Sequence, residues 1–299
     1  IPGTARWTLA GAVTLSGTGL FSGEPSMLSI HPATSGGIQF RVPGGTFPAT
    51  VARLAGDAAK LPFPTGVQAR NTTLVLGNGA VATVEHVLSA LAGMGVTDAI
   101  IEVMGREAPM FDGSAKPITD AIVNAGLSPL PDRVTPLRLD APITVTRGDA
   151  TITASPREKP GCSVEYILDY GPALPRTSAK WRGTSAEYRQ DLAWARTFCL
   201  ASEARAMRDR GMFALPLVMR NLGSPFSVDE ECFDSRVTFL PSPFDRAVST
   251  VATGDGFGWP SIARLGRYVR YLPMPVVEGF TAGIAVVIAI RSLHRPQCV

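Results

Sequence analysis

Thr83-Val84-Glu85-His86-Val87-Leu88-Ser89-Ala90-Leu91-Ala92-Gly93 carries the clearest helical period in the chain. Apolar Val84, Val87, Leu88 and Leu91 recur at the spacing of one helix face, Thr83 suits an N-cap and Gly93 suits a stop. Upstream, Thr72 to Leu76 reads as a strand that turns at Gly77-Asn78-Gly79. From Trp7 to Val51 short β-type runs alternate with Gly-rich turns: Ala12 to Leu15, then Met27 to Ile30, then Ile38 to Val42 after Gly36-Gly37. Downstream, a strand at Ala99 to Val103 and a second helix at Pro117 to Ala125 complete a first half. That half reads as an antiparallel sheet carrying two helices.

Gly126 to Pro136 is rich in breakers and reads as a linker. Beyond it the pattern restarts, with strands at Ile143 to Val145, Ala150 to Thr153 and Ser163 to Tyr170, then helical segments at Ser185 to Ala193 and Ser202 to Arg210. Strands followed by helices, twice over, predict an α+β chain of two domains, 1–128 and 136–299. After about residue 211 the second domain diverges: Lys is absent, helical periodicity is weak, and a strand pattern returns only at Ala282 to Ile290. An irregular stretch of that length is unusual in a compact domain.

Composition narrows the function classes. The chain has 299 residues, 45% hydrophobic and 18% charged, enough to build a substantial core. The net charge of +3 comes with no block of like charges, which argues against an electrostatic nucleic-acid binder. The longest apolar run, Phe280 to Ile290, falls short of the roughly 20 residues of a membrane span, so no transmembrane segment is expected. The chain opens at Ile1-Pro2-Gly3 without a basic segment leading into an apolar one, and the expected compartment is the cytoplasm. Cys162, Cys199, Cys232 and Cys298 lie far apart with no C-x-x-C pair, which reads as reduced, mostly buried thiols. His31, His86 and His294 are the only three His, and that scarcity bounds any metal site.

Glu85 and His86 sit side by side in the first turn of the apolar-faced helix. Unpaired N–H groups and the helix dipole there favour a carboxylate and a neutral imidazole, and a neutral imidazole is what a metal requires. Glu and His can then act as general base and metal ligand on one substrate. A helix-start carboxylate beside an amphipathic surface His is the plainer alternative.

With its neighbours, this stretch resembles the UDP-3-O-acyl-N-acetylglucosamine deacetylases, zinc enzymes of lipid A biosynthesis. The resemblance is carried by Ser16-Gly17-Thr18-Gly19-Leu20-Phe21-Ser22-Gly23, Asn71-Thr72-Thr73-Leu74, Thr83 to Gly93, Asp112-Gly113-Ser114 ahead of Pro117, Leu168 to Pro172 and Ala195-Arg196-Thr197-Phe198. These blocks span Gly11 to about Gly211 in the family's order. The resemblance implies two domains, each a β-sheet with two helices, with the helical layers packed between the sheets. It implies a metal-dependent amide hydrolase that deacetylates UDP-3-O-acyl-N-acetylglucosamine with zinc-activated water. By resemblance Glu85 is the base, His86 a zinc ligand, and Thr197 the oxyanion donor. His294, in Ala289-Ile290-Arg291-Ser292-Leu293-His294, matches the general acid. Without the resemblance Thr197 is an ordinary β-branched residue of a strand or turn, Asp112-Gly113-Ser114 a turn and helix cap, and Ala204 and Met207 core.

The family draws two further zinc ligands, a His and an Asp, from an H-K-x-x-D segment that this chain lacks. Counting back from His294 lands on Arg267 to Tyr271, with Arg in the His place and Tyr in the Asp place; anchoring on Asp229 to Cys232 gives Ser235 and Phe239. A guanidinium cannot ligate zinc. Phe21 also stands where the family has His. Cys232, Asp229, Asp234 or Asp245 are candidate replacement ligands. Two further readings follow: a homologue that binds the nucleotide-sugar lipid without turnover, or a segment, about Met212 to Gly279, that is not the native reading of its gene.

Overall fold

The structure is a computed structural model, and it describes residues 4–55, 71–134, 139–147, 150–158, 161–169, 176–195 and 209. It is α+β, as expected. The centre is a five-stranded sheet in the order β2-β3-β8-β4-β5, formed by β2 (Val13–Thr18), β3 (Pro25–Pro32), β4 (Ile38–Val42), β5 (Gly45–Pro48) and β8 (Ala99–Met104). It is not wholly antiparallel, as the turn pattern suggested. β8 runs antiparallel to β3 but parallel to β4, with Phe40 opposite Ile101. β8 comes after a long excursion through a helix, and such a crossover is what a parallel pairing requires.

Period-two alternation sets which face is covered. Along β8, Ala99 and Ile101 are buried, Ile100 and Glu102 are less so, and Met104 is exposed. On the inner face Leu28, Ile30, Phe40 and Ile101 share one apolar cluster with Val87, Leu88, Ala90 and Leu91 of α1 (Glu85–Gly93) and Ile118 and Ile122 of α2 (Lys116–Ala125). The two helices read from the sequence are therefore the lid of the first-half core. Between β5 and α1 a small hairpin, β6 (Leu74–Leu76) with β7 (Gly79–Val81), turns at the expected Gly77-Asn78-Gly79.

Gly126 to Pro136, expected as a linker, is instead a strand over most of its length. β9 (Leu127–Val134) pairs antiparallel with β1 (Thr4–Leu9), from Leu9 opposite Leu127 to Thr4 opposite Val134. Pro129 and Pro131 are tolerated because β1 and β9 form a two-stranded sheet, whose outer edge needs no N–H donor. The second half contributes two hairpins, β10 (Ile143–Arg147) with β11 (Ala150–Ala154) and β12 (Val164–Leu168) with β13 (Thr177–Trp181). Then comes α3 (Ser185–Glu187), which continues as a π-type turn over Tyr188–Leu192. The Thr184 side chain accepts from the Glu187 N–H and so caps α3.

The second half touches the first through that turn. Tyr188 Oη and Ser89 Oγ are 2.8 Å apart, and a Cβ at Gly93 would stand 2.3 Å from the Tyr188 ring, so α1 ends on the one residue that lets the ring close over it. The expected helix at Ser202 to Arg210 and the strand at Ala282 to Ile290 lie outside the described residues. No helix among the described residues is long and apolar enough to cross a membrane.

Candidate active site

Glu85 and His86 open α1 and both are buried, each 6% exposed. The surface-His alternative is thereby set aside. The Glu85 carboxylate accepts a hydrogen bond from the Thr72 N–H at 3.0 Å, and the Val84 N–H donates to the Thr72 carbonyl at 3.2 Å. The segment 71–73 and the start of α1 are thus stitched together at the pair. Burial pushes the Glu85 carboxyl up to about 7, against the Thr72 hydrogen bond, which lowers it, and with the Glu107 charge adding to the rise. Burial holds the His86 imidazole down at about 4, against an opposing pull from Asp112. At neutral pH the imidazole is neutral and the carboxyl is poised to take or give a proton. The neutrality expected of His86 is present, and its first cause is desolvation.

The backbone entering the helix is unusual. Thr83 does not cap it: the N-cap position is Val84, with no side-chain bond, and Thr83 has φ +58. A capping hydroxyl must reach the first helical N–H groups, whereas that of Thr83 donates to Glu107. A β-branched residue in the left-handed region costs about 1–3 kcal/mol and persists only where its surroundings hold it.

What surrounds Thr83 is a carboxylate that the sequence analysis does not single out. Glu107 is 1% exposed and follows β8 in the isolated bridge Ala82 to Glu107. Its Oε1 accepts from Thr83 Oγ1 at 2.7 Å; the Phe21 N–H donates to both oxygens at 3.1 and 3.2 Å, and the Ser22 N–H to Oε2 at 2.9 Å. Ser26 Oγ donates to the Glu107 carbonyl at 2.6 Å. A Cβ at Gly19 would stand 2.5 Å from Glu107 Oε2, so glycine there lets the turn wrap the carboxylate. The only sequence signal is a Glu in Arg106-Glu107-Ala108-Pro109 beyond a strand, outside any helical period, and such a residue reads as solvated surface.

Asp112-Gly113-Ser114 forms the expected turn. Ser114 donates to Asp112 Oδ1 from both N–H (3.1 Å) and Oγ (2.7 Å), and its Oγ accepts from the Lys116 N–H at 3.2 Å at the start of α2. Phe21, in place of the family's His, is buried. Thr197 and His294 lie outside the described residues, as do Cys199, Cys232 and Cys298; Cys162 is half-buried and in no disulfide among the described residues. His31 lies on β3 with Nε2 3.7 Å from Glu102 Oε2.

A buried Glu-His pair at a helix start, with a neutral imidazole beside a carboxyl raised to about 7, can serve acid-base or metal-assisted hydrolysis. The UDP-3-O-acyl N-acetylglycosamine deacetylase family model matches residues 6–215, and the chain belongs to that family. It is 32% identical over 222 residues to the UDP-3-O-acyl-N-acetylglucosamine deacetylase of Anaeromyxobacter dehalogenans (strain 2CP-C), covering 70% of this chain and 66% of that protein. It is 33% identical over 213 residues to that of Saccharophagus degradans, covering 69% and 66%. To that of Thermosynechococcus vestitus it is 34% identical over 215 residues, covering 70% of each. Against the first two the chain spans just under two thirds of the relative's length. The family match ends just past Gly211, where the sequence texture changes, and the sulfate permease family model matches residues 250–296.

Catalytic zinc takes three protein ligands and an open position. Among the described residues no group of three His, Cys, Asp or Glu is placed to hold a metal ion, and His86 is the one ligand of the implied set. The described residues therefore do not by themselves fit zinc.

Proposed function

We propose that this chain is a metal-dependent amide hydrolase that deacetylates UDP-3-O-acyl-N-acetylglucosamine, working in the cytoplasm in lipid A biosynthesis. The observation that carries the reading is the buried Glu85–His86 pair at the start of α1, in a chain that belongs to the deacetylase family. In this reading a water attacks the acetamide carbonyl and its proton passes to Glu85. The C–N bond then breaks, and acetate leaves the free amine. A carboxyl near 7 suits that exchange, because a base matched to the working pH transfers protons in both directions. Thr197 donates to the developing oxyanion and His294 protonates the leaving amine. The domains are 1–128 and 136–299, with their helices facing each other and the site between them.

Zinc is the cofactor that the resemblance implies, with His86 as one ligand. Asp229, Cys232, Asp234 and Asp245, which lie outside the described residues, are the candidates for the remaining ligands. A second reading is favoured by the end of the family match at residue 215 and the missing H-K-x-x-D segment: a homologue that keeps the nucleotide-sugar-lipid cleft and binds without turnover.

One experiment separates the two. Zinc per chain is measured by elemental analysis on protein purified without chelator, alongside acetate release from UDP-3-O-acyl-N-acetylglucosamine, with His86→Ala and Glu85→Gln as controls. The deacetylase reading expects near one zinc per chain, lost in His86→Ala, and turnover that falls by about 10²–10⁴ in Glu85→Gln. Substrate binding with neither zinc nor turnover establishes the second reading instead.

A further inference from the structure

We propose that Glu107 is a positioning residue, which places Glu85 and His86 by holding Thr83 in its left-handed conformation. The proposal rests on the deacetylase reading only for the use to which the pair is put.

Thr83 Oγ1 has one proton to give and room to accept. It gives the proton to Glu107 Oε1 at 2.7 Å and accepts from Asn71 Nδ2 at 3.0 Å. The hydroxyl therefore joins three segments: the strand end bearing Glu107, the residues 71–73 that hydrogen-bond Glu85, and the turn into α1. Two residues after Thr83 comes Glu85, whose carboxylate is met by the Thr72 N–H. Rotation of Thr83 out of φ +58 would turn the first helical turn away from that N–H. Glu107 cannot itself drift, because the backbone N–H groups of Phe21 and Ser22 grip its other lone pairs and Ser26 holds its carbonyl. The named donors are neutral and point at a group that only accepts. A glutamine would set its own NH₂ against one of them.

This gives a prediction readable without substrate or metal: exchange of the Thr72 amide proton reports whether Glu85 is in place. Amide exchange is followed by NMR on the full chain, with amides of the central strand β8 as the internal control. In Thr83→Ala, which leaves Glu107 and its backbone bonds intact, Thr72 protection falls about tenfold or more while Phe21 and Ser22 stay protected. Thr83→Ser, which keeps the hydroxyl, restores it. In Glu107→Gln all three amides lose protection and β8 does not. Unchanged Thr72 protection in Thr83→Ala overturns the proposal, whatever Phe21 and Ser22 do in Glu107→Gln. It does so equally if Glu107→Gln fails to fold. Loss of turnover plays no part in the readout, so a failure of the deacetylase reading leaves this test standing.

Discussion

Arg6 and Asp98 show what a buried charge requires in this protein. Asp98 is almost wholly buried; Arg6 Nε donates to its Oδ2 at 3.0 Å and Arg6 Nη2 to its Oδ1, while Thr97 Oγ1 and the Gly37 N–H add two further donors at 2.7 and 2.8 Å. Burial alone pushes the Asp98 carboxyl up, but the Arg6 and Thr97 hydrogen bonds, the Gly37 N–H and the Arg6 charge together bring it below its ordinary value. A carboxylate depressed in the folded state adds stability above the unfolded value of about 3.9, and the contribution is lost as pH falls through the lower folded value. Asp98→Asn is therefore expected to lose about 1–3 kcal/mol at neutral pH, because it leaves the partly buried Arg6 with only its longer contact to the exposed Asp132. The gap between variant and parent in thermal melts should close as the buffer is taken below about pH 3.9. A gap independent of pH would mean that the pair contributes shape and not charge.

At the scale of elements, the contact between the halves depends on one missing methyl group. α1 ends at Gly93 against the Tyr188 ring, where a Cβ would approach to 2.3 Å. Tyr188 stacks edge-on with Trp181, ring centroids 6.1 Å apart, and Trp181 Nε1 donates to the Thr184 carbonyl at 2.9 Å. The ring cannot retreat without disturbing β13 and α3. Gly93→Ala is expected to cost about 1–3 kcal/mol in urea unfolding, although Ala is the better helix former. Its signature is a changed environment for Trp181, followed by fluorescence. A stabilised Gly93→Ala would show that the second half does not bear on α1.

At the scale of the molecule, burial among the described residues is lopsided. Their fully buried large side chains, among them Phe40, Leu74, Leu91, Ile101 and Ile118, belong to the first half. In the second half Ile143 and Val145 of β10 are 55% and 63% exposed on one face, and Ile167 of β12 is also exposed. Ile101→Ala should cost about 2–5 kcal/mol by opening a cavity between sheet and helices. Val145→Ala should stay within about 0.5 kcal/mol, since nothing among the described residues closes over it. Urea unfolding of both variants checks the contrast, and an equal cost would mean that Val145 is covered.

Much of this was legible along the chain because it depends on neighbours in sequence. The period of Val84, Val87, Leu88 and Leu91 predicts α1, the run Ile38 to Val42 is β4, and Thr83 to His86 with its companion blocks announces the deacetylase family. Gly126 to Pro136 misled because its prolines are breakers in isolation, and only the antiparallel partner β1, far away in sequence, makes the stretch an edge strand. Thr83 misled in the same way: a helix cap is a local inference, whereas the hydroxyl is claimed by Glu107, 24 residues on. The sequence alone determined α1, α2, the central strands β2, β3, β4 and β8, the family and the adjacency of Glu85 and His86, since period and motif are properties of adjacent residues. Tertiary structure alone decided that the pair is buried, that its carboxyl sits near 7 and its imidazole near 4, and that an unremarked glutamate grips the turn beside it. Desolvation and convergent hydrogen bonds come from segments distant in the chain, and no local pattern records them.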